Sequence, residues 1–395
     1  MNTEYRVGDK LTVEIEKIVP RGFGLAFAEG LTIFVPLAAV GDRLCVCIEE
    51  LKQGTAFASI VEVERPSPER VDPPCEYFGA CGGCDFQHLR YDAQLRAKEG
   101  IIRDCLHRIG KIEFDGPIKI IPSPSEFGYR MRTQWHLDVK NKKIGYYRTN
   151  SRDLIDIKAC PIIGPQLRDT LDELRRSLDW KQFSGVVAKI DAAVGDEAEV
   201  SLFSVDFGEP AAEISLKAAG ETYFFSARSF FQGNRFLLDK LVEIAVGDAH
   251  GNTAFDLYSG VGLFSLPLAR RFQTVFAIEE NEFAVKFAKK AARHSGIENV
   301  RFYKESVRRF LSGRFAEPPD FVLLDPPRAG TEKETVMNLI KLRPREISYV
   351  ACEPSILARD LRRFTENGYR VDSVTAIDLF PQTHHIETVA KLSFA

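Results

Sequence analysis

The chain has 395 residues, 45% of them hydrophobic and 28% charged, with a formal net charge of −3. This length predicts two or three domains, and the composition is typical of a folded protein. A basic nucleic-acid-binding arm is absent, so any such contact must use local patches. We find no signal peptide and no apolar run near the roughly 20 residues of a membrane helix, so we expect a cytosolic, membrane-free protein. The eight cysteines therefore predict no disulfide framework.

Residues 1–65 contain short apolar runs with period-two alternation, such as Lys10–Ile15 and Leu31–Val35, separated by glycines. This pattern predicts a small, OB-like β-barrel. Cys45 and Cys47 lie in a similar run, and we interpret them as small core residues. Barrels of this kind often bind nucleic acid, and a purely structural barrel is the alternative.

A proline-rich linker opens the central region, which we place at residues 66–215. A helical pattern runs from about 91 to 108, with Leu95 and Ile102 on its apolar face. We expect the segment at about 90–118 to pack on the C-terminal domain. Residues 118–215 are mostly strand-like, with one amphipathic helix, and alternate aromatic residues with arginines such as Arg130 and Arg132. Such side chains can stack bases and bind phosphates, and a solvated basic face is the alternative.

From residue 216 onward, apolar strands alternate with helices, which predicts an α/β domain with a doubly wound parallel sheet. One buried strand ends at Tyr258, and Gly260 and Gly262 follow before a helix. Glycines in this position let a ligand approach the backbone. Glu279 ends the next strand and is placed to accept hydrogen bonds from a ribose. Because the three-glycine dinucleotide spacing is incomplete, these residues alone leave a nicotinamide enzyme open.

Two further predicted strands are each followed by a residue that can take part in catalysis or ligand binding. Asp325 follows the buried run Phe321–Leu324 and precedes two prolines, so its carboxylate is expected in the ligand crevice. Cys352 follows the run Ile347–Ala351, and a thiol at such an edge can ionise and attack, unlike a core cysteine. The sequence therefore predicts a nucleophile beside a cofactor crevice.

The C-terminal tail offers a partner for that thiol. Glu387 begins a strand pattern, and His384 and His385 precede it. Each of the three is a candidate general base.

Several short motifs occur in a fixed order along the chain: Gln232 and Asn234 within Ser229–Asn234, Asp256–Gly260, Asp325–Arg328, Cys352–Pro354 with Ala358–Asp360, and His385–Glu387. In this combination they resemble the RNA (uracil-5-)-methyltransferase family of the RumA/TrmA type. The N-terminal barrel resembles the TRAM domain that many members carry, so the likeness covers nearly the whole chain.

The resemblance implies a Rossmann-like methyltransferase domain at residues 216–395 that transfers a methyl group from S-adenosyl-L-methionine to carbon 5 of a uridine in RNA. Cys352 would add to carbon 6 of the base, and Glu387 would accept the proton of carbon 5. The residues implied for the cofactor site are Gln232, Tyr258, Gly260, Glu279 and Asp325, and those expected to contact RNA are Arg130, Arg132, Phe230 and Arg328. Glu353 stands where the family usually has Asn or Asp, and we expect it to raise the pKa of Cys352.

A second group of cysteines has the spacing Cys75-x5-Cys81-x2-Cys84, and Cys160 lies far along the chain. Four thiolates suit zinc or an iron–sulfur cluster, although the spacing differs from the paired halves of structural zinc sites. Resemblance to family members with this arrangement implies a [4Fe-4S] cluster, which we expect to be structural and to shape an RNA surface.

The substrate is the least determined part of this interpretation. We expect 23S rRNA, with the T-loop of tRNA as the alternative, and a monomer that needs no protein partner. A catalytically inactive RNA-binding protein of the same fold is the competing hypothesis. DNA cytosine methylation uses similar thiol chemistry, but the barrel and the cysteine pattern favour RNA.

Overall fold

The N-terminal barrel opens the chain in the computed structural model, which describes residues 5–28, 30–207, 211–313 and 315–394. Six strands form one sheet in the order β1-β5-β6-β4-β3-β2: β1 Lys10–Glu14, β2 Lys17–Val19, β3 Phe23–Ala28, β4 Leu31–Val35, β5 Arg43–Lys52 and β6 Thr55–Arg65. Strand β1 pairs with β5 at one edge, and its continuation β2 pairs with β3 at the other. One bent strand therefore closes the sheet around its own core.

The alternation of β5 corrects one prediction. Leu44, Val46 and Ile48 are fully buried, whereas Cys45 and Cys47 between them are only half-buried. Neighbouring residues of a strand point to opposite faces, so the larger aliphatic side chains fill the barrel and the cysteines turn away from its core.

The proline-rich segment after the barrel is fastened to it. Asp42 is fully buried and accepts hydrogen bonds from the main-chain nitrogen of Ser67 at 2.9 Å and from Arg70 Nη2 at 2.7 Å. The Arg70 guanidinium also donates to the carbonyl of Leu37 at 2.9 Å. This segment is therefore an ordered strap on the barrel.

Helix α1, Tyr91–Cys105, packs with strand β7, Lys119–Ile121, on the C-terminal sheet. The predicted apolar face is correct for Ile101 and Ile102, but Leu95 is only half-buried, while Gln94 and Lys98 are fully buried. Their burial is compensated by polar partners on the C-terminal tail.

The central region forms a five-stranded antiparallel sheet in the order β10-β9-β8-β11-β12. Its strands are β8 Arg132–Asp138, β9 Lys143–Tyr147, β10 Leu154–Asp156, β11 Val187–Val194 and β12 Val200–Phe203. Helix α2, Pro165–Ser177, covers it through Leu167, Leu171 and Leu174, close to the predicted amphipathic helix.

A hairpin of β13, Ile214–Ala218, and β14, Glu221–Phe225, leads into the C-terminal sheet, so the predicted boundary between residues 215 and 216 cuts a strand. The sheet has eight strands in the order β17-β16-β15-β18-β19-β21-β20-β7. Its remaining strands are β15 Gly251–Leu257, β16 Phe272–Glu279, β17 Val300–Lys304, β18 Phe321–Leu324, β19 Glu346–Ala351, β20 Tyr369–Ile377 and β21 Glu387–Phe394.

Helices cover both faces of this sheet: α3 Leu238–Val246, α4 Ser265–Ala269, α5 Glu282–His294, α6 Val307–Leu311, α7 Lys333–Leu342 and α8 Pro354–Thr365. Strands β15 to β19 are parallel, whereas β21 is antiparallel to both of its neighbours. Side chains of β15 and β18 alternate between two cores, which confirms the predicted doubly wound α/β domain. No helix in the described ranges is long and apolar enough to cross a membrane.

Candidate active site and cysteine cluster

The predicted site residues gather at one edge of the C-terminal sheet. Tyr258, Asp325 and Cys352 directly follow β15, β18 and β19, and Glu279 is the last residue of β16. The antiparallel strand β21 begins at Glu387 and so starts at the same edge. The carboxyl ends of parallel strands form the ligand crevice of such sheets.

The glycine loop after β15 has the backbone shape of a ligand cradle. Tyr258, Gly260 and Gly262 have positive φ angles of 66°, 53° and 93°. Glu279 accepts hydrogen bonds from the main-chain nitrogens of Gly260, at 3.0 Å, and Asn281, at 2.6 Å. A Cβ atom built on Gly260 would meet no heavy atom within 4 Å, so this peptide faces open space. Glu279 therefore holds the loop in position through both of its carboxylate oxygens.

Two carboxyls lie beside that loop, Asp256 fully buried and Asp325 half-buried. Burial raises the pKa of Asp256 to about 7, and a hydrogen bond from Ser265 opposes the rise. Burial also raises the pKa of Asp325 to about 7, with a further contribution from Asp256, while Gln232 Nε2 lowers it by donating to Asp325 Oδ2 at 3.4 Å. Burial therefore favours the protonated form of both carboxyls, and perturbed groups of this kind are typical of functional sites.

Cys352 directly follows β19 and Glu387 begins the adjacent strand β21, and the neighbouring residues Ala351 and Thr388 are paired. Burial raises the pKa of the Cys352 thiol to about 12, Glu387 adds to the rise, and Arg328 opposes it. Glu353 contributes in the predicted direction but less than the others, so it does not dominate the electrostatics of the thiol.

The Glu387 side chain is 2% exposed, and its Oε1 has no hydrogen-bond partner in the described structure. Burial raises the pKa of this carboxyl well above its usual value, Asp325 adds to the effect, and Arg328 opposes it. An unpartnered buried carboxyl costs stability, and such costs are typical of functional groups.

The two histidines differ in their surroundings. His384 Nδ1 donates to the carboxylate of Asp85. His385 Nδ1 lacks a hydrogen bond and lies 4.0 Å from Glu353 Oε2, and burial lowers the pKa of His385 to about 2. Glu353 and the two imidazoles bring ligand atoms within 4.8 Å of one another, but the contact with Asp85 already occupies His384 Nδ1.

The four residues expected to contact RNA form two groups: Phe230 and Arg328 are exposed, whereas Arg132 and Arg130 contact other parts of the protein. Phe230 is 64% exposed on the loop before α3, and Arg328 is exposed beside the crevice. In contrast, Arg132 donates through both terminal nitrogens to the carbonyls of Ser229 and Ala227, at 2.6 and 2.9 Å. This differs from the predicted phosphate contact, because the guanidinium is already bound to the loop that presents Phe230.

The four cysteines of the second group line a single cavity, together with Tyr77, Tyr146 and Arg130. Burial raises the pKa of Cys75, Cys81, Cys84 and Cys160, to about 12 for Cys84. Arg130 lowers the pKa of the last three and is therefore part of this cavity, not of an exposed RNA surface.

The four sulfurs surround the cavity without meeting at one point. In the described structure no three of these sulfurs lie within 4.8 Å of one another. A tetrahedral zinc site with bonds of about 2.3 Å requires sulfurs about 3.8 Å apart. In the described structure the four sulfurs are therefore not gathered at the spacing of a single-ion site.

Two residues that contact the C-terminal tail were not predicted from the sequence. Asp85 follows Cys84 and binds His384, and Lys98 pairs with Asp378 at 2.6 Å. A lysine on the buried face of a predicted helix is a signal of such a partner, whereas nothing local marks Asp85.

Comparison with known proteins agrees with this geometry. The family model described as tRNA (Uracil-5-)-methyltransferase matches residues 203–317 and 314–393. An RNA methyltransferase of Aquifex aeolicus is 30% identical over 97% of this chain and 98% of its own. The 23S rRNA (uracil(1939)-C(5))-methyltransferase RlmD of Shewanella sediminis is 31% identical over 98% of this chain and 97% of its own.

Among solved structures, the tRNA (uracil-54, C5)-methyltransferase of Pyrococcus abyssi in complex with S-adenosyl-L-homocysteine aligns with a TM-score of 0.73 and 26% identity. The alignment covers 97% of this chain and all of that one. The chain therefore belongs to the RNA (uracil-5-)-methyltransferase family and is an S-adenosylmethionine-dependent enzyme of that class.

Proposed function

We propose that the enzyme methylates carbon 5 of a uridine in 23S rRNA through a covalent adduct between Cys352 and carbon 6 of the base. The observation that carries this proposal is the position of the Cys352 thiol beside the buried carboxyl of Glu387, at the edge that also holds the glycine loop. The target uridine must leave its stack to reach this edge, as chemistry on a base ring requires.

The reaction needs a nucleophile because carbon 5 of uracil is too weakly nucleophilic to take a methyl group unaided. The Cys352 thiolate would form a bond to carbon 6, which moves an electron pair to carbon 5. Carbon 5 would then take the methyl group as the bond between that group and the donor sulfur breaks, and S-adenosylhomocysteine would be the leaving group. Glu387 then removes the proton of carbon 5, and the bond between sulfur and carbon 6 breaks to restore the thiolate. In the free enzyme, burial favours the thiol, so substrate binding and Arg328 must stabilise the anion.

The residues present fit the methyl donor. The open space at Gly260 and the carboxylate of Glu279 suit an adenosyl ribose, and Gln232 with Asp325 offers polar contacts beside it. Tyr258 adds an aromatic face at the same loop, and its hydroxyl is held by Glu332 at 3.2 Å. S-adenosylmethionine supplies the methyl group when it is bound there.

We also propose three structural units: a TRAM-like barrel at residues 1–65, a central unit from residue 66 to the start of β13 at Ile214, and a methyltransferase unit from there to residue 395, with α1 and β7 packed on the last. In the central unit, Cys75, Cys81, Cys84 and Cys160 would hold a [4Fe-4S] cluster. When bound, the cluster supplies a rigid cross-link between segments far apart in sequence. The four thiols around one cavity are the donor set of such a cluster, and the Cys75-x5-Cys81-x2-Cys84 spacing differs from the paired halves of structural zinc sites.

The rRNA assignment is supported by RlmD of Shewanella sediminis, which is similar over nearly the full length of both chains. The structural similarity to the tRNA enzyme of Pyrococcus abyssi supports tRNA as the second candidate. Mapping 5-methyluridine in total RNA from cells with and without the gene separates the two. Loss of one 23S rRNA site supports the proposal, and loss only at a tRNA T-loop contradicts it.

The covalent mechanism is tested by Cys352→Ala, with Cys47→Ala of the half-buried barrel cysteine as the matched control. We expect the first variant to lose methyl transfer from labelled S-adenosylmethionine and to retain cofactor binding, while the control keeps both. Methylation by the Cys352→Ala variant at a rate close to wild type would refute the assignment.

A further inference from the structure

The segment that carries Glu387 is bound directly by the loop that carries Cys84. The main-chain nitrogens of Asp85 and Phe86 both donate to the carbonyl of Gln382, at 3.1 and 3.0 Å. The Asp85 carboxylate accepts a hydrogen bond from the main-chain nitrogen of His384 at 2.7 Å, and a second from His384 Nδ1. Two consecutive residues thus make four hydrogen bonds to a turn that ends three residues before Glu387.

That turn needs external support because its backbone is strained. Gln382 has φ = 68°, a left-handed conformation that disfavours residues other than glycine. Its main-chain nitrogen donates to Gln94 Oε1 at 3.0 Å, and its side-chain oxygen accepts from Gln94 Nε2 at 3.1 Å. Strain of this kind persists only where the surrounding structure holds it.

Glu387 depends on the turn because its side chain has little support of its own. Its Oε1 has no hydrogen-bond partner in the described structure, so backbone position and packing determine where the carboxyl lies. Pairing with β19 and β20 fixes the backbone that follows Glu387. The contacts of Asp85 fix the backbone that precedes it.

The N-terminal barrel contacts the same pair of residues. A Cβ atom on Gly22 would lie 3.2 Å from His384 Cβ and 3.5 Å from the carboxyl carbon of Asp85. The absence of a side chain at Gly22 therefore lets the barrel close over the contact between Asp85 and His384.

We propose that Asp85 is a positioning residue for proton removal, which holds Glu387 in place through His384 and the turn at Gln382. This inference rests on the proposed roles of Cys352 and Glu387. It gives the cysteine cluster a defined connection to the reaction, because Asp85 directly follows Cys84. The order of the cysteine loop then determines how fast the covalent adduct is released.

The test measures the adduct between RNA and protein that resists denaturant, in the full-length protein with its cluster bound and with substrate RNA. Removal of the base should trap this adduct in Glu387→Gln, because the carbon 5 proton stays in place and the thiolate cannot leave. We expect Asp85→Ala to reduce kcat about tenfold to hundredfold, as small misplacements of catalytic groups do, and to raise the steady-state adduct in parallel. The KM for S-adenosylmethionine should not change. Cys352→Ala combined with Asp85→Ala should form no adduct.

The matched control is Glu76→Ala, since Glu76 also follows a cysteine of the cluster but is exposed. We expect wild-type turnover and adduct from this variant. Visible absorbance of the cluster and thermal unfolding identify an Asp85→Ala protein that has not folded. In that case His384→Ala, which keeps the main-chain hydrogen bonds and removes only the imidazole contact, is the deciding variant and should show a smaller rise in adduct.

The outcomes separate the two levels of the proposal. If Glu387→Gln traps the adduct and the folded Asp85→Ala protein does not exceed the Glu76→Ala control, Asp85 has no positioning role while the proposed mechanism stands. If Glu387→Gln traps no adduct, the role of Glu387 is wrong, and the inference about Asp85 falls with it. A rise of the adduct in both variants supports both.

Discussion

Replacement of Glu387 by Gln should inactivate the enzyme without destabilising it. The carboxyl is buried, Oε1 lacks a partner, and burial raises its pKa well above the usual value. Gln has nearly the same shape and cannot ionise, so the variant removes the base and also the cost of a buried charge. Loss of a general base typically lowers the rate by about 10²- to 10⁴-fold.

The sign of the stability change follows from linkage. A raised carboxyl pKa means that the native state binds the proton more tightly than the unfolded chain, so wild-type stability falls as pH rises between the usual and the raised pKa. Each pH unit within that window is worth up to about 1.4 kcal/mol. Gln does not titrate, so the stability of the variant relative to wild type should increase with pH, and the extra buried N–H offsets part of that gain.

The assay combines urea unfolding at pH 5 and pH 8 with single-turnover methylation of substrate RNA. We expect Glu387→Gln to be at least as stable as wild type at pH 8 and relatively less stable at pH 5. Turnover within about threefold of wild type would exclude a base role, because that role predicts a far larger loss. A variant that loses several kcal/mol at pH 8 would instead show that the carboxylate stabilises the fold.

Three further predictions concern other parts of the chain. Lys98→Met should destabilise the protein by about 3–5 kcal/mol, because it leaves Asp378 buried without the cation that lies 2.6 Å away. Urea unfolding measures this loss, and a change below about 1 kcal/mol would contradict the prediction. Alkylation of Cys352, followed by mass spectrometry, should accelerate about tenfold per pH unit from pH 7 to 10, since burial raises the pKa of its thiol to about 12; a plateau near pH 8 would show a lower pKa. Gly260→Ala should weaken S-adenosylmethionine binding more than the control Gly296→Ala. Both glycines have a positive φ and open space at the Cβ position, but only Gly260 faces the crevice. Equal effects on the affinity measured by calorimetry would place the cofactor elsewhere.

Residues at strand ends could be located from the sequence because their signal is local. The two buried apolar runs that precede Asp325 and Cys352 match the observed strands β18 and β19 to within one residue. The carboxyl ends of parallel strands share one edge, so the pattern alone brought these residues together. The start of β21 at Glu387 was also predicted from its local strand pattern.

The chain order of the motifs also determined the family, which the comparisons confirmed. It did not determine the orientation of side chains within strands and loops. Arg132 was expected to contact RNA but binds main-chain carbonyls of Ala227 and Ser229. This loop lies about 95 residues further along the chain, so a local pattern could not predict the contact. Cys45 and Cys47 were expected in the core but turn outward, because three larger aliphatic residues alternate with them.

Only the tertiary structure decided what holds the segment before Glu387 in place. The contacts of Asp85 with His384 and of Lys98 with Asp378 join residues 299 and 280 positions apart. Strand β7 has three residues and becomes part of the C-terminal sheet only by pairing with β20. Periodicity and turn signals report what a residue's neighbours along the chain require, whereas these contacts arise from distant segments that meet after folding. The sequence by itself therefore predicted the candidate reacting groups and their edge of the sheet, and the tertiary structure decided how their positions are maintained.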